Sequence, residues 1–346
     1  MNSRDKTLPI RALVGVLMTL TIANTEAAID FGAYPVKNVR DCFAGPFGDY
    51  DNWINSLIDR NPNKPEGDAR AMLFSRYETE LLPRNDYENA KATLDCNWFE
   101  YPVDDGLVKG YIIQPKKRES KIPAVIYNRG GNLNFGGQVF GALLRNQFNV
   151  ANAGYTVIGS QYRGTFEKNP APEFSDQFGG ADVNDVLELL NILDAMKTVD
   201  NTRLGMYGQS RGGMQTLLTA KASHRFKALV VKAGSANALK GLEFRPEMEN
   251  VFKARIPDYE KNKAAALQAR SAIFWLDQLD PVVPILILHG QADTRVSARQ
   301  ALWLAEGLQK LDHPYKLIIY PQDNHGLQKH QAEAGEEIIR WFDRYL

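Results

Sequence analysis

The sequence predicts an α/β fold built on a mostly parallel central sheet with helices on both faces. Three observations carry this. Short β-rich runs alternate with helical patterns from about residue 105 to the end. Several runs, such as Val282-Val283-Pro284-Ile285-Leu286-Ile287-Leu288, are apolar at successive positions, which suits strands covered on both faces. The chain has 346 residues, 44% of them hydrophobic, so it can bury a large core.

The expected strands are Val108–Ile113, Ala124–Tyr127, Thr156–Ser160, Arg203–Tyr207, Ala228–Val231, Ile285–Leu288 and Tyr315–Tyr320. The clearest helix is Ala181–Lys197, where Val183, Val186, Leu187, Leu190 and Leu193 share a face. Further helices follow Ser210, follow Val296, and close the chain over Glu336–Leu346. Residues 234–283 read as a mostly helical insertion. Residues 28–104 read as a helical N-terminal extension, with a loop at 61–68 and a helix over Arg70–Leu82 capped by Asp68.

Residues 1–27 have the layout of a secretory signal peptide. Arg4, Lys6 and Arg11 precede an uncharged apolar run, Ala12–Ala23, followed by the small residues Thr25, Ala27 and Ala28. The run is shorter than the roughly 20 residues that span a bilayer. Cleavage after Ala27 and an exported, periplasmic or secreted chain without a membrane span are expected. The competing reading is an uncleaved anchor or a buried helix. Export would expose Cys42 and Cys96 to oxidation, and geometry then decides whether they pair.

Lys+Arg and Asp+Glu both total 41, so the chain lacks the positive excess that nucleic acid requires. There is no His-Glu-x-x-His, no phosphate-cradling loop and no dinucleotide fingerprint, so no metal or cofactor is expected.

The chemistry concentrates where strands end. Gly208-x-Ser210-x-Gly212 joins the strand ending at Tyr207 to a helix, the context of a nucleophile elbow. The plain alternative is a glycine-rich turn with a capping serine. A serine hydroxyl needs a base. Of five histidines, His325 follows the last expected strand and so stands at the functional edge of the sheet, with His330 a weaker second. The base needs a carboxylate. Asp293 follows the strand Ile285–Leu288, whereas Asp280 precedes it and Asp323 should point away. The order Ser210, Asp293, His325 is that of the α/β-hydrolase triad. The Arg211 amide is one expected oxyanion donor. Gly131 or Asn132, in the loop after Ala124–Tyr127, is the second, and Arg129 is a candidate substrate contact.

Together these segments resemble the catalytic domain of the prolyl oligopeptidase family of serine peptidases, within the α/β-hydrolase superfamily. The pieces are NRGGN at 128–132, YRGT at 162–165, FGGADVNDV at 178–186, GQSRGGM at 208–214, ARSAIFWLDQLDPVVPILILHGQADTRV at 269–296 and NHGL at 324–327. The resemblance covers roughly residues 105–346. It implies Ser210 as nucleophile, His325 as base, Asp293 as acid, and a structural role for Asp182 and Asp185. It also implies a small peptide as substrate, with an ester as the alternative. The chain departs from the family at Asn132, at Arg211, in having no identifiable pair of glutamates to grip a peptide amino terminus, and in having a short region where well-known members carry a β-propeller.

Overall fold

The computed structural model describes residues 29–346. The expected leader lies outside the described residues. The chain starts with β1 (Lys37–Asp41) and three helices, α1 (Tyr50–Asp59), α2 (Gly67–Arg76) and α3 (Arg84–Thr93). A hairpin follows, β2 (Leu94–Val103) and β3 (Gly106–Pro115). Then come β4 (Ile122–Asn128), α4 (Phe140–Asn146), α5 (Phe148–Asn152), β5 (Thr156–Ser160), α6 (Asp182–Ala195), β6 (Val199–Gln209), α7 (Arg211–Ala222) and β7 (Phe226–Lys232). The insertion holds α8 (Ala238–Phe244), α9 (Met248–Arg255) and α10 (Tyr259–Ala269). The chain closes with β8 (Ile285–Gly290), α11 (Arg299–Lys310), β9 (Tyr315–Tyr320) and α12 (Gln331–Tyr345).

The strands form one sheet in the order β1-β2-β3-β5-β4-β6-β7-β8-β9. From β5 to β9 all neighbours are parallel; β1, β2 and β3 are joined by antiparallel pairing. The parallel strands are buried on both faces, as their unbroken apolar sequences require: every residue of β5 and β8 is buried. One core lies on the α6 side of the sheet, with Val186, Leu190 and Leu193. The other lies on the α12 side, where Ala334, Ile338, Trp341 and Phe342 recur at helical spacing.

All seven expected strands are present, as is the helical insertion. The N-terminal region differs from expectation. Its helices end at Thr93, and Leu94–Val103 is a full strand paired with β3 over ten positions, Leu94 opposite Pro115 through Val103 opposite Gly106. The 28–104 segment is therefore helical only in its middle and supplies two strands to the main sheet. The two-residue turn between the strands is Asp104-Asp105, with Asp104 at φ 48°. The Arg70–Leu82 helix is also modified. It begins at Gly67 after Glu66 rather than behind an Asp68 cap, and Tyr77–Leu81 forms a single π turn. Cys42 and Cys96 are joined by a disulfide, with Cα atoms 5.3 Å apart.

Strand order positions the site. The chain leaves β4 for β5 on one side and then returns to β6 on the other. Ligands bind where such connections part, beyond the carboxyl ends of the strands. The β4 loop and the β6 turn meet there, with Asn128 paired to Gly208.

Candidate active site

Ser210 stands between the last residue of β6 and the first of α7, at φ 60° and ψ −125°. A side chain at positive φ is costly outside glycine, and the surrounding turn must hold it. Two glycines make the turn possible. A Cβ on Gly208 would lie 2.1 Å from the Gly212 oxygen, and one on Gly212 would lie 1.9 Å from the Asn128 oxygen. The Ser210 amide donates to Lys232 O at 2.9 Å, fixing the elbow to β7. Ser210 Oγ has no hydrogen-bond partner among the described residues, so the hydroxyl is free to meet a substrate.

His325 lies in the loop after β9, with Nδ1 2.7 Å from Asp293 Oδ2. That contact leaves Nε2 as the ring nitrogen available to a hydroxyl. Asp293, in the loop after β8, uses Oδ1 to accept the amides of Arg295 (2.8 Å) and Val296 (2.9 Å). Burial alone would raise the Asp293 carboxyl. Hydrogen bonds from His289 and His325, the charge of His325 and the Val296 amide outweigh it, and hold the group well below the ordinary carboxylate range. The His325 loop is itself secured. Gln209 Nε2 donates to His325 O at 3.2 Å, and Asp323 contacts His330 Nδ1 at 2.8 Å and accepts its amide at 3.0 Å. Asp323 is thus spent on its own loop, and His330, the weaker candidate base, is paired to Asp323 rather than to Asp293.

His289 is the residue that sequence reasoning passed over. Fully buried at the end of β8, its Nε2 lies 3.2 Å from Asp293 Oδ2 and 2.8 Å from Val296 O. Both neighbours are acceptors and Nδ1 has no partner, which assigns the proton to Nε2. The signal available was its spacing, four residues before Asp293.

The loop after β4 runs against Ser210. A Cβ on Gly130 would fall 3.1 Å from Ser210 Cβ, and Gly131, at φ 76°, has no room for one. Two buried arginines turn the loop's carbonyls away from the site. Arg129 donates to Gly130 O (2.9 Å), Leu133 O (2.7 Å), Phe135 O (3.2 Å) and Gln161 O (2.6 Å). Arg211 Nη1 donates to Gly131 O at 3.0 Å. With those carbonyls engaged, the Gly131 and Arg211 amides have no acceptor among the described residues. Arg211 is paired to Asp176 at 2.6 Å and Asp182 at 2.5 Å, all three side chains buried. The Tyr162 ring lies between the two guanidiniums, 4.8 Å from Arg129 and 4.7 Å from Arg211.

This corrects the expectation for Arg129. It is 0% exposed with its guanidinium spent on backbone carbonyls, so it shapes the loop and cannot reach a substrate. Burial, with the charge of Arg211, lowers its pKa to about 10, which leaves it charged at neutral pH. Asp182 accepts the Gln177, Gly179 and Gly180 amides, and Asp185 grips Arg163, so both are structural as the resemblance implied.

Ser210, Asp293, Gly131, Asn132 and Arg211 line one cavity of about 430 Å³, roofed by α8 and α9 of the insertion. A larger groove of about 1280 Å³ runs along β1–β3 and contains none of these residues. Volume alone would favour the groove, but Ser210 and Asp293 line the smaller cavity.

The sheet, the elbow and the Asp293–His325 pair define an α/β-hydrolase with a serine, a histidine and an aspartate at the carboxyl ends of its strands. Residues 143–346 match the prolyl oligopeptidase family (Peptidase_S9), and the chain belongs to that family. It is 28% identical over 254 residues to dipeptidyl-peptidase 5 of Porphyromonas gingivalis, covering 70% of this chain and 37% of that protein. It is 27% identical over 243 residues to the Bacillus subtilis "Uncharacterized peptidase YtmA", covering 69% of this chain and 90% of that one. The acylaminoacyl peptidase of Pyrococcus horikoshii superposes with a TM-score of 0.62 at 21% identity, over 73% of this chain and 42% of the other. The chain thus spans less than half the length of the dipeptidyl-peptidase.

Proposed function

We propose that this protein is an exported serine peptidase acting on short peptides through an acyl-enzyme. The observation that carries the reading is the 2.7 Å contact between His325 Nδ1 and Asp293 Oδ2, in a site whose elbow holds Ser210 at positive φ. Ser210 Oγ attacks the scissile carbonyl while His325 Nε2 takes its proton. Asp293 fixes the imidazole tautomer and stabilises the imidazolium. The Gly131 and Arg211 amides, with Asn132 beside them, receive the charge that develops on the carbonyl oxygen. His325 returns the proton to the leaving amine, and water then repeats the sequence on the ester.

Family membership and the relatives' names support a peptide substrate. The N-terminal layout supports export, and the Cys42–Cys96 disulfide agrees with an oxidising compartment. The test is kcat/KM for an amide and an ester sharing one acyl group, with Ser210→Ala as control. Amide cleavage that the variant loses by several orders of magnitude is the expected result. Ester cleavage with no amide cleavage would assign a carboxylesterase instead.

A further inference from the structure

The cavity beside Ser210 has an apolar floor and a cationic mouth. Phe178, Met214, Met248 and Phe252 are among the side chains that line it, and Arg245 and Arg295 share the lining. Asp293 is the only carboxylate in that lining, and its oxygens are committed to His325, His289 and two amides. A free ammonium entering this cavity finds no carboxylate to receive it.

The guanidiniums are differently placed. Arg295 has no ion-pair partner among the described residues, and its charge lies 5.4 Å from the ring of Phe135, another lining residue. Arg245 touches Glu247 at 3.0 Å, but Glu247 is largely in water and screens it weakly. Arg255, outside the lining, adds a third guanidinium bound to the lining residue Asn132. Its Nε donates to Asn132 Oδ1 at 3.2 Å, and it too has no carboxylate partner among the described residues. Clefts of one charge sign with apolar walls concentrate the field and draw in the opposite charge. The arginine fork matches a carboxylate.

We infer that the acyl site takes a group that is apolar next to the scissile carbonyl and carboxylate-bearing at its outer end, in preference to a free amino terminus. Arg295 and Arg245 are the specificity-determining residues. The inference rests on the Ser210 peptidase reading for its chemistry but not for its binding preference.

The test uses three p-nitroanilides of phenylalanine, bearing a succinyl, an acetyl or a glycyl group with a free amine. The succinyl compound is expected to have the highest kcat/KM, about fivefold to tenfold above acetyl, with the advantage shrinking as salt rises. The glycyl compound is expected to be the poorest. Arg295→Gln and Arg245→Gln should each reduce the succinyl-to-acetyl ratio, and together bring it near one. A wild-type ratio near one, a best rate on the glycyl compound, or a ratio unmoved by both variants would overturn the inference. Calorimetric binding of the same compounds to Ser210→Ala separates the two readings. Equal affinities sink the anion preference. Tighter succinyl binding with no amide cleavage by the wild type sinks only the peptidase reading.

Discussion

Arg211 Nη1 donates to the Gly131 carbonyl at 3.0 Å, so the residue that follows the nucleophile grips the opposite wall of the site with its side chain. On the proposed reading, the amide of the same residue receives the charge on the substrate oxygen. Its guanidinium reaches a second point of the loop through Asp176, whose Oδ2 accepts the Leu133 amide at 2.7 Å. Elbow and oxyanion loop are therefore one clamped unit, preorganised before substrate arrives.

Loosening that clamp should cost turnover more than binding. Arg211→Met leaves two buried carboxylates unpaired and should destabilise the fold by about 3–5 kcal/mol. Asp176→Asn is the gentler variant, because the amide oxygen can still accept from Leu133. We expect kcat to fall at least about tenfold in Asp176→Asn with KM little changed, a fraction of what losing a whole oxyanion donor costs. Steady-state kinetics beside a melting curve decides it. A lowered melting temperature with unchanged kcat would make the network purely structural.

His289 should prove a positioning residue. Its Nε2 shares Asp293 Oδ2 with the His325 ring, at 3.2 Å. Replacing it with alanine removes one of the bonds that keep Asp293 ionised, so the carboxyl's pKa should rise and its hold on His325 weaken. We expect about a tenfold loss of kcat, and a pH–rate profile whose acid limb moves. His289→Gln, which can still donate, should recover part of both. An unmoved profile in the alanine variant would show that His289 only fills space.

Much of this site was legible in the sequence, because each feature had a local cause. Gly208 and Gly212 flank Ser210 for steric reasons, and strand ends placed Asp293 and His325 at the functional edge. Arg129 was misjudged because an arginine in a glycine loop reads as a free cation. Only the structure brings Gln161 and Leu133 to its guanidinium. β2 was missed because Asp95, Asn97 and Glu100 mask the alternation in a strand whose partner lies across a hairpin. Arg211's partners are 29 and 35 residues distant, which no short-range pattern encodes.

Asp293 gives a prediction in pH. Its carboxyl is depressed in the folded state, so the stability it contributes is fully present above the ordinary carboxylate value. That stability is lost as pH falls through the lower folded value. Asp293→Asn should therefore melt below the wild type at pH 7, and the gap should narrow below about pH 4. Turnover at neutral pH should fall about ten-thousandfold, because the amide favours the wrong imidazole tautomer. Melting temperatures of both proteins across the acid range test the sign. A gap that widens on acidification contradicts the assignment.

The Cys42–Cys96 disulfide should carry stability without carrying activity. The bond closes a segment of 54 residues containing α1, α2 and α3, and ties the turn after β1 to β2. Closing a loop of that length restricts the unfolded chain by about 4 kcal/mol on the chain-entropy account. Its effect on chemistry should be small, because β1 and β2 lie at the far end of the sheet from β6, with β3, β5 and β4 between. The double variant Cys42→Ser with Cys96→Ser should thus melt lower than the wild type in oxidising buffer. Adding a reductant should lower the wild type towards the variant and leave the variant unmoved. Below both transitions, kcat/KM should match. A variant that melts with the wild type would mean this region is held by packing such as that of Trp53 and Tyr87 on each other and on Phe140, and that the bond adds nothing to it.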